Sequence, residues 1–375
     1  MPALLDTVDP DGLLEYSVVF TDRSLNHMSA AFQEVMRDIS AMLKEVYRAE
    51  AVALVPGGGS YAMEAVARQF ATGGKAVVVR NGWFSYRWSQ IFEAGGIPAE
   101  AHVLKARRTG NEPDAPFAPA PIDEVEARIA EVQPDVVFAP HVETSAGVIL
   151  PDAYLARMAA AAHAAGALMV LDCVASGCAW VDMEATGVDV LISAPQKGWS
   201  ASPSAGLVMM SPRAKARLAE TRSTSFALDL AKWAQIMEAY ENGGHAYHAT
   251  MPTDALRAFR DTMKETRAMG WEALAEAQWE LGRGVRASLA ARGVRLVAAE
   301  GYGAPGVVVA YTDDPAVKSG ARFAAEGVQI AAGVPLECDE PASFQTFRLG
   351  LFGLDKLKDP AAAVARLDRA LDAVF

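Results

Sequence analysis

Two residues of complementary chemistry follow apolar runs in the middle of the chain. Asp172 closes Ala167–Leu171. Lys197 lies 25 residues further on, in Ser193-Ala194-Pro195-Gln196-Lys197-Gly198-Trp199, just after the run Val188–Ser193. Apolar runs of this length read as buried strands, and an α/β sheet binds ligands at the carboxyl ends of its strands. Two parallel strands ending in a carboxylate and an amine bring both groups to one edge. Taken singly, Lys197 is an ordinary surface lysine and Asp172 an acid capping a turn. Lys197, however, stands among small and apolar residues, without the charged companions of a solvated face.

An acid and an amine aimed at one crevice suit pyridoxal phosphate. That cofactor needs a lysine to hold it as a Schiff base and an acid to partner its ring nitrogen. It also needs a cradle for a phosphate dianion. Val55-Pro56-Gly57-Gly58-Gly59-Ser60-Tyr61-Ala62-Met63-Glu64 supplies a strand, a glycine turn and a helix start, whose free N–H groups attract anions. The segment is neither a dinucleotide fingerprint nor a Walker loop. A nucleotide-binding α/β protein using Gly57–Ser60 is the alternative from a different class. His141-Val142-Glu143-Thr144-Ser145-Ala146-Gly147-Val148 ends another apolar strand with hydroxyls and a small-residue turn. Asn81-Gly82-Trp83-Phe84 offers aromatics that suit a planar ring or, equally, a core.

The elements that must position these residues alternate. Strands are expected at Ala51–Val55, Lys75–Arg80, Ala99–Leu104, Asp135–Pro140, Ala167–Leu171, Val188–Ser193 and Leu207–Met210. Helices are expected at Ser60–Phe70, Trp83–Phe92, Ile122–Val132 and Tyr154–Ala165. This alternation predicts a mostly parallel sheet covered on both faces. Near residue 250 the pattern changes to two long helices, Asp254–Met269 and Trp271–Ala291, then strands Val307–Tyr311 and Thr346–Gly350 and a final helix Pro360–Val374. That predicts a second, smaller α+β domain. The segment 105–121, with four prolines, reads as a surface loop or linker.

Composition narrows the function classes. The 375 residues carry 34 Lys+Arg against 46 Asp+Glu, a net charge of -12, which disfavours nucleic acid as a partner. No apolar run is long enough to cross a bilayer, and the start Met-Pro-Ala-Leu-Leu-Asp lacks the basic region of a signal peptide. Three cysteines suit reduced thiols in a cytoplasm. Cys173 and Cys178 have no matching ligand pair, so no metal is expected.

Taken in order, Gly58-Gly59-Ser60-Tyr61-Ala62-Met63-Glu64, Asn81-Gly82-Trp83-Phe84, His141-Val142-Glu143-Thr144-Ser145-Ala146-Gly147, Asp172-Cys173-Val174-Ala175-Ser176, Ser193-Ala194-Pro195-Gln196-Lys197 and Phe347-Arg348-Leu349-Gly350 resemble the class V pyridoxal-phosphate-dependent aminotransferases. The likeness is to the alanine–glyoxylate/serine–pyruvate group and runs from about residue 50 to the C-terminus. It implies an α/β chain of fold type I. The implied parts are an N-terminal segment (1–20) associated with the small domain, a large cofactor-binding domain (21–250) and a small C-terminal domain (251–375).

The resemblance also implies roles. Lys197 matches the Schiff-base lysine, Asp172 the ring-nitrogen partner, Phe84 the stacking aromatic and Val174 the residue on the opposite face. Thr144 matches the hydroxyl near the phenolic oxygen, and Gly58, Gly59, Ser60 and Gln196 the phosphate turn and contacts. Tyr247-His248-Ala249-Thr250 resembles a stretch whose Tyr and Thr reach the partner subunit's phosphate, which implies a homodimer with shared sites. Arg348 matches the arginine that grips the substrate carboxylate.

The implied reaction is ping-pong transfer from a small L-amino acid (alanine, serine or aspartate) to a 2-oxo acid such as glyoxylate or pyruvate. The family's N-terminal motifs survive only as Arg23-Ser24, which leaves substrate identity open. Arg23 is a candidate second anion contact or an interface ion pair. Cys338, ten residues before Arg348, suggests the same-fold alternative of a cysteine desulfurase or related lyase, although Gln196 and Phe84 stand where desulfurases place histidines.

Overall fold

The structure is a computed structural model, and it describes residues 7–375; residues 1–6, the start of the expected segment 1–20, lie outside the described residues. The central sheet is built from β1 (Ala51–Pro56), β2 (Lys75–Arg80), β3 (Glu100–Lys105), β4 (Val136–Pro140), β5 (Leu168–Asp172), β6 (Val190–Ser193) and β7 (Ala205–Met210). Their spatial order is β1-β7-β6-β5-β4-β2-β3. All run parallel except β7, which pairs antiparallel with both β6 and β1. Strands β4 and β5 are buried at every position. A strand covered on both faces carries an unbroken apolar run rather than an alternation, which is why these runs stand out in the sequence.

The long helices are α1 (Ala30–Tyr47), α2 (Gly59–Phe70), α3 (Trp83–Gly95), α4 (Ile122–Val132), α5 (Asp152–Ala164), α6 (Leu230–Glu241), α7 (Thr253–Met269), α8 (Trp271–Ala291) and α9 (Pro360–Val374). The sequence reading contains neither α1 nor α6. In α1 the Ser29 hydroxyl caps the first turn by accepting from Phe32 N at 3.1 Å, and Phe32, Val35, Met36, Ile39, Met42, Leu43 and Val46 form a buried stripe. That spacing is the helical period. The expected loop 105–121 is partly structured. Arg107–Arg108 pairs with Phe117–Ala118, and the buried Phe117 donates its N–H to Val297 O at 2.7 Å.

A second sheet, ordered β8-β10-β9, comprises β8 (Val307–Tyr311), β9 (Ala331–Ala332) and β10 (Thr346–Gly350). Leu256, Phe259 and Met263 of α7 pack into the same core as α1 and the central sheet. Leu274, Leu281, Val285 and Leu289 of α8 pack instead with Val308, Phe347 and Leu349 of the second sheet. The core therefore changes at Gly270, which takes φ +87 between the two helices. The carbonyls of Thr7 and Val8 accept from Arg257 on α7. Among the described residues no helix is long and apolar enough to cross a membrane.

Candidate active site

The parallel pairing of β5 with β6 sets Leu171 opposite Leu191 and Asp172 opposite Ile192. Asp172 thus ends one strand beside the strand that leads into the lysine loop. The loop 194–204 returns directly into β7, so both its ends are anchored in the sheet. Inside it Ser200 N donates to Lys197 O at 3.0 Å and Ala201 N to Pro195 O at 3.0 Å. Ser200 takes φ +55, and its hydroxyl accepts from Leu354 N at 3.0 Å. That bond joins the lysine loop to the segment following β10.

Phe84 is set by a buried acid. The Glu143 carboxylate, with no exposed surface, accepts from Phe84 N at 3.2 Å, Ser85 N at 2.9 Å and Ser85 Oγ at 2.7 Å. It also accepts from Ser145 N at 3.1 Å and Ser145 Oγ at 2.7 Å. An anion at a helix N-terminus satisfies the free N–H groups and opposes the dipole. Gly82 makes the approach possible, since a Cβ there would collide with the Ser145 hydroxyl and the Glu143 side chain. The Phe84 ring then lies among three cations: Arg87 Cζ is 5.2 Å, Arg348 Cζ 5.6 Å and Lys197 Nζ 5.7 Å from its centroid.

Helix α2 opens on the same edge, with Gly58 as its N-cap. It packs close to β7, because Gly206 leaves room that a Cβ would take from Ala62 and from Gly58 O. Gly59, Ser60, Phe84, Thr144, Asp172, Val174, Gln196 and Lys197 line one pocket, together with Arg87 and Met63.

Burial shapes the charges. It pushes the Asp172 carboxyl up to about 6, against the opposing pull of the Val174 N–H, bonded to Oδ1 at 2.9 Å, and of Lys197. Burial lowers Lys197, with Arg87 and Arg348 adding to the effect and Asp172 and Glu143 opposing it. Removing an ion from water disfavours its charged form, so both groups are held nearer neutrality than in solution. Burial also works against the Arg348 guanidinium, which Glu143 supports; its Nε donates to Ala332 O at 2.8 Å.

Most of the sequence-derived candidates therefore meet at one place. Gly58 adjoins the pocket, and Arg348, on β10, reaches the Phe84 ring beside it. Tyr247 and Thr250 do not line it; they are exposed and bonded to each other at 3.1 Å. Arg23 is exposed and paired with Asp22 at 3.6 Å. Cys338 is buried elsewhere, donating to Arg80 O at 3.4 Å, and burial pushes its thiol up to about 12. Glu143 and Arg87 carried no role in the sequence reading. Arg87 was legible as the residue one turn after Phe84 on the same helix face.

The donor set fits pyridoxal phosphate. A lysine amine and a carboxylate flank an aromatic face, and a helix N-terminus with a serine and a glutamine stands at one end. The Thr144 hydroxyl is buried in the pocket wall without a partner among the described residues, and a buried unsatisfied hydroxyl marks a place for a ligand atom.

The class V aminotransferase family model matches residues 12–339, and the chain belongs to that family. Its cofactor is pyridoxal phosphate, and its fold is fold type I. It is 26% identical over 352 residues to the alanine–glyoxylate aminotransferase of Callithrix jacchus, covering 89% of this chain and 79% of that one. It is 27% identical over 350 residues to a protein named soluble hydrogenase, small subunit, of Synechococcus sp. (strain PCC 6716), covering 92% and 87%. The crystal structure of alanine–glyoxylate aminotransferase from Nostoc sp. superposes with a TM-score of 0.79 at 23% identity, covering 94% of this chain and 89% of that one.

Proposed function

We propose that this aminotransferase moves the amino group of a small L-amino acid (alanine, serine or aspartate) to a 2-oxo acid such as glyoxylate or pyruvate, in two ping-pong half-reactions. The observation that carries the reading is the meeting of Lys197, Asp172 and Arg348 around Phe84. Bound there, pyridoxal phosphate supplies a carbonyl carbon that binds an amine and a ring that accepts electron density from the substrate's α-carbon.

The residues divide the remaining work. Burial lowers Lys197 Nζ and so favours its neutral form; the amine would take the proton from the α-carbon of the donor and return one to that of the acceptor. Asp172 has Oδ1 committed to Val174 N, which leaves Oδ2 to hold the proton of the ring nitrogen. Arg348 presents a planar fork to the substrate's carboxylate and so fixes which bond stands over the ring. Phe84 and Val174 confine the ring from its two faces, and the Thr144 hydroxyl takes the phenolic oxygen.

Tyr247 and Thr250, exposed and turned to each other, are assigned to the phosphate of a second subunit in a homodimer. The division into an N-terminal segment (1–20) associated with the small domain, a large cofactor-binding domain (21–250) and a small C-terminal domain (251–375) belongs to the same reading, although the packed core changes at Gly270 rather than at 250. A cytoplasmic location belongs to the same reading and rests on three free, buried cysteines. The lyase alternative loses its nucleophile, because Cys338 is buried and protonated away from Lys197's pocket.

The test is an absorption spectrum of the purified chain with cofactor, followed by separate additions of L-alanine, L-serine, L-aspartate and L-cysteine. Transfer predicts that a donor bleaches the visible band and that glyoxylate or pyruvate restores it. A band that persists while sulfide or ammonia accumulates would overturn the proposal.

A further inference from the structure

We propose that Arg87 is the cation that holds the cofactor's phosphate in this chain, a role none of the expected phosphate contacts fills. The inference rests on the cofactor site described above. A phosphate dianion placed at the start of α2 meets backbone N–H groups, the Ser60 hydroxyl and the Gln196 amide, none of which carries a formal charge. Of the three cations around Phe84, Lys197 is committed to the cofactor's carbonyl carbon and Arg348 to the substrate's carboxylate. Arg87 is the one left over, and it is already at the phosphate end. Its Nη1 donates to Ser60 Oγ at 2.9 Å, and both residues line the pocket. Among the described residues Arg87 makes no direct ion pair with a carboxylate; Asp172 feels its charge only at longer range.

The helix explains the placement. Arg87 stands three residues after Phe84 on α3, so the two share a face, and the guanidinium reaches along the ring toward α2. Glu143, by fixing the first turn of α3, fixes both residues at once. A guanidinium matches a phosphate with two parallel N–H donors, a geometry a lysine cannot reproduce.

The experiment compares two probes on the full chain freed of cofactor: pyridoxal phosphate and pyridoxal, which differ only in the phosphate. For Arg87→Gln, affinity for pyridoxal phosphate is expected to fall roughly 10- to 100-fold, the range for a charge-assisted hydrogen bond, with pyridoxal unchanged. Arg87→Lys should fall between the two, retaining the charge without the fork. Inorganic phosphate should also compete less well with pyridoxal phosphate in Arg87→Gln than in the parent. Equal affinity of parent and Arg87→Gln for pyridoxal phosphate would overturn the inference. So would an equal loss for both probes, which would make Arg87 a structural residue. A parent chain that binds neither probe would bring down the cofactor site itself, an outcome distinct from failure at Arg87 alone.

Discussion

Asp172 should weaken the cofactor-free protein and strengthen the loaded one. Burial raises its carboxyl from 3.8 to about 6. A group raised in this way contributes fully below its unfolded value and loses that contribution as pH climbs through the folded one. At pH 8 the ionised side chain therefore costs about 3 kcal/mol, and at pH 5 about half as much. Asp172→Asn keeps the acceptor for Val174 N and removes the charge. With an unfolding entropy of about 2.1 cal/mol/K per residue, relief of about 3 kcal/mol raises the Tm of this chain by about 4 °C. Thermal melts of parent and variant, cofactor-free at pH 5 and pH 8, should show the larger gain at pH 8. Adding pyridoxal phosphate at pH 8 should reverse the order, because the carboxylate then has a cationic ring nitrogen to pair with. A cofactor-free variant that melts no higher than the parent at pH 8, or equal stabilisation of both proteins by the cofactor, would refute the reasoning.

Lys197→Ala should abolish turnover while leaving the fold and part of the cofactor affinity, as read by circular dichroism and a binding titration; turnover without an added amine would sink its assignment. Glu143→Ala strips the acceptor from three backbone N–H groups and two hydroxyls in a closed interior and should cost about 3 kcal/mol or more, seen as a fall in Tm. Cys338→Ala should leave transamination unchanged, and Cys338 should resist alkylation in the native protein; rapid labelling together with lost activity would revive a thiol mechanism. Gly206→Ala should push α2 off β7 and weaken binding of pyridoxal phosphate with little effect on the second sheet, a difference that limited proteolysis and titration can separate.

The strands were legible because most are buried on both faces, and their apolar runs were bounded by the residues that do chemistry. Val307–Tyr311 and Thr346–Gly350 fall where the pattern places them. The helix Ala30–Tyr47 was equally legible in its period but carried no chemical residue to draw attention to it. The direction of Ala205–Met210 was not legible, since an antiparallel strand inside a parallel sheet has the same apolar composition as its neighbours. The cofactor pocket could be assembled from motifs because each contributor sits at a strand end or a helix start. Glu143 lay within one of those motifs, yet three of its five hydrogen bonds cross to α3 and exist only once the chain has folded. Arg87 could be placed on the face of Phe84 from its spacing, but its bond to Ser60 exists only once α2 lies beside α3.

The bond from Leu354 N to Ser200 Oγ has a mechanical consequence. Leu354 follows the strand that carries Arg348, and Ser200 sits three residues after Lys197, in a left-handed conformation. If the C-terminal layer swings outward to admit an amino acid, it pulls on the loop of the residue that must let the cofactor go. One hydrogen bond therefore ties the segment that follows Arg348 to the loop that follows Lys197.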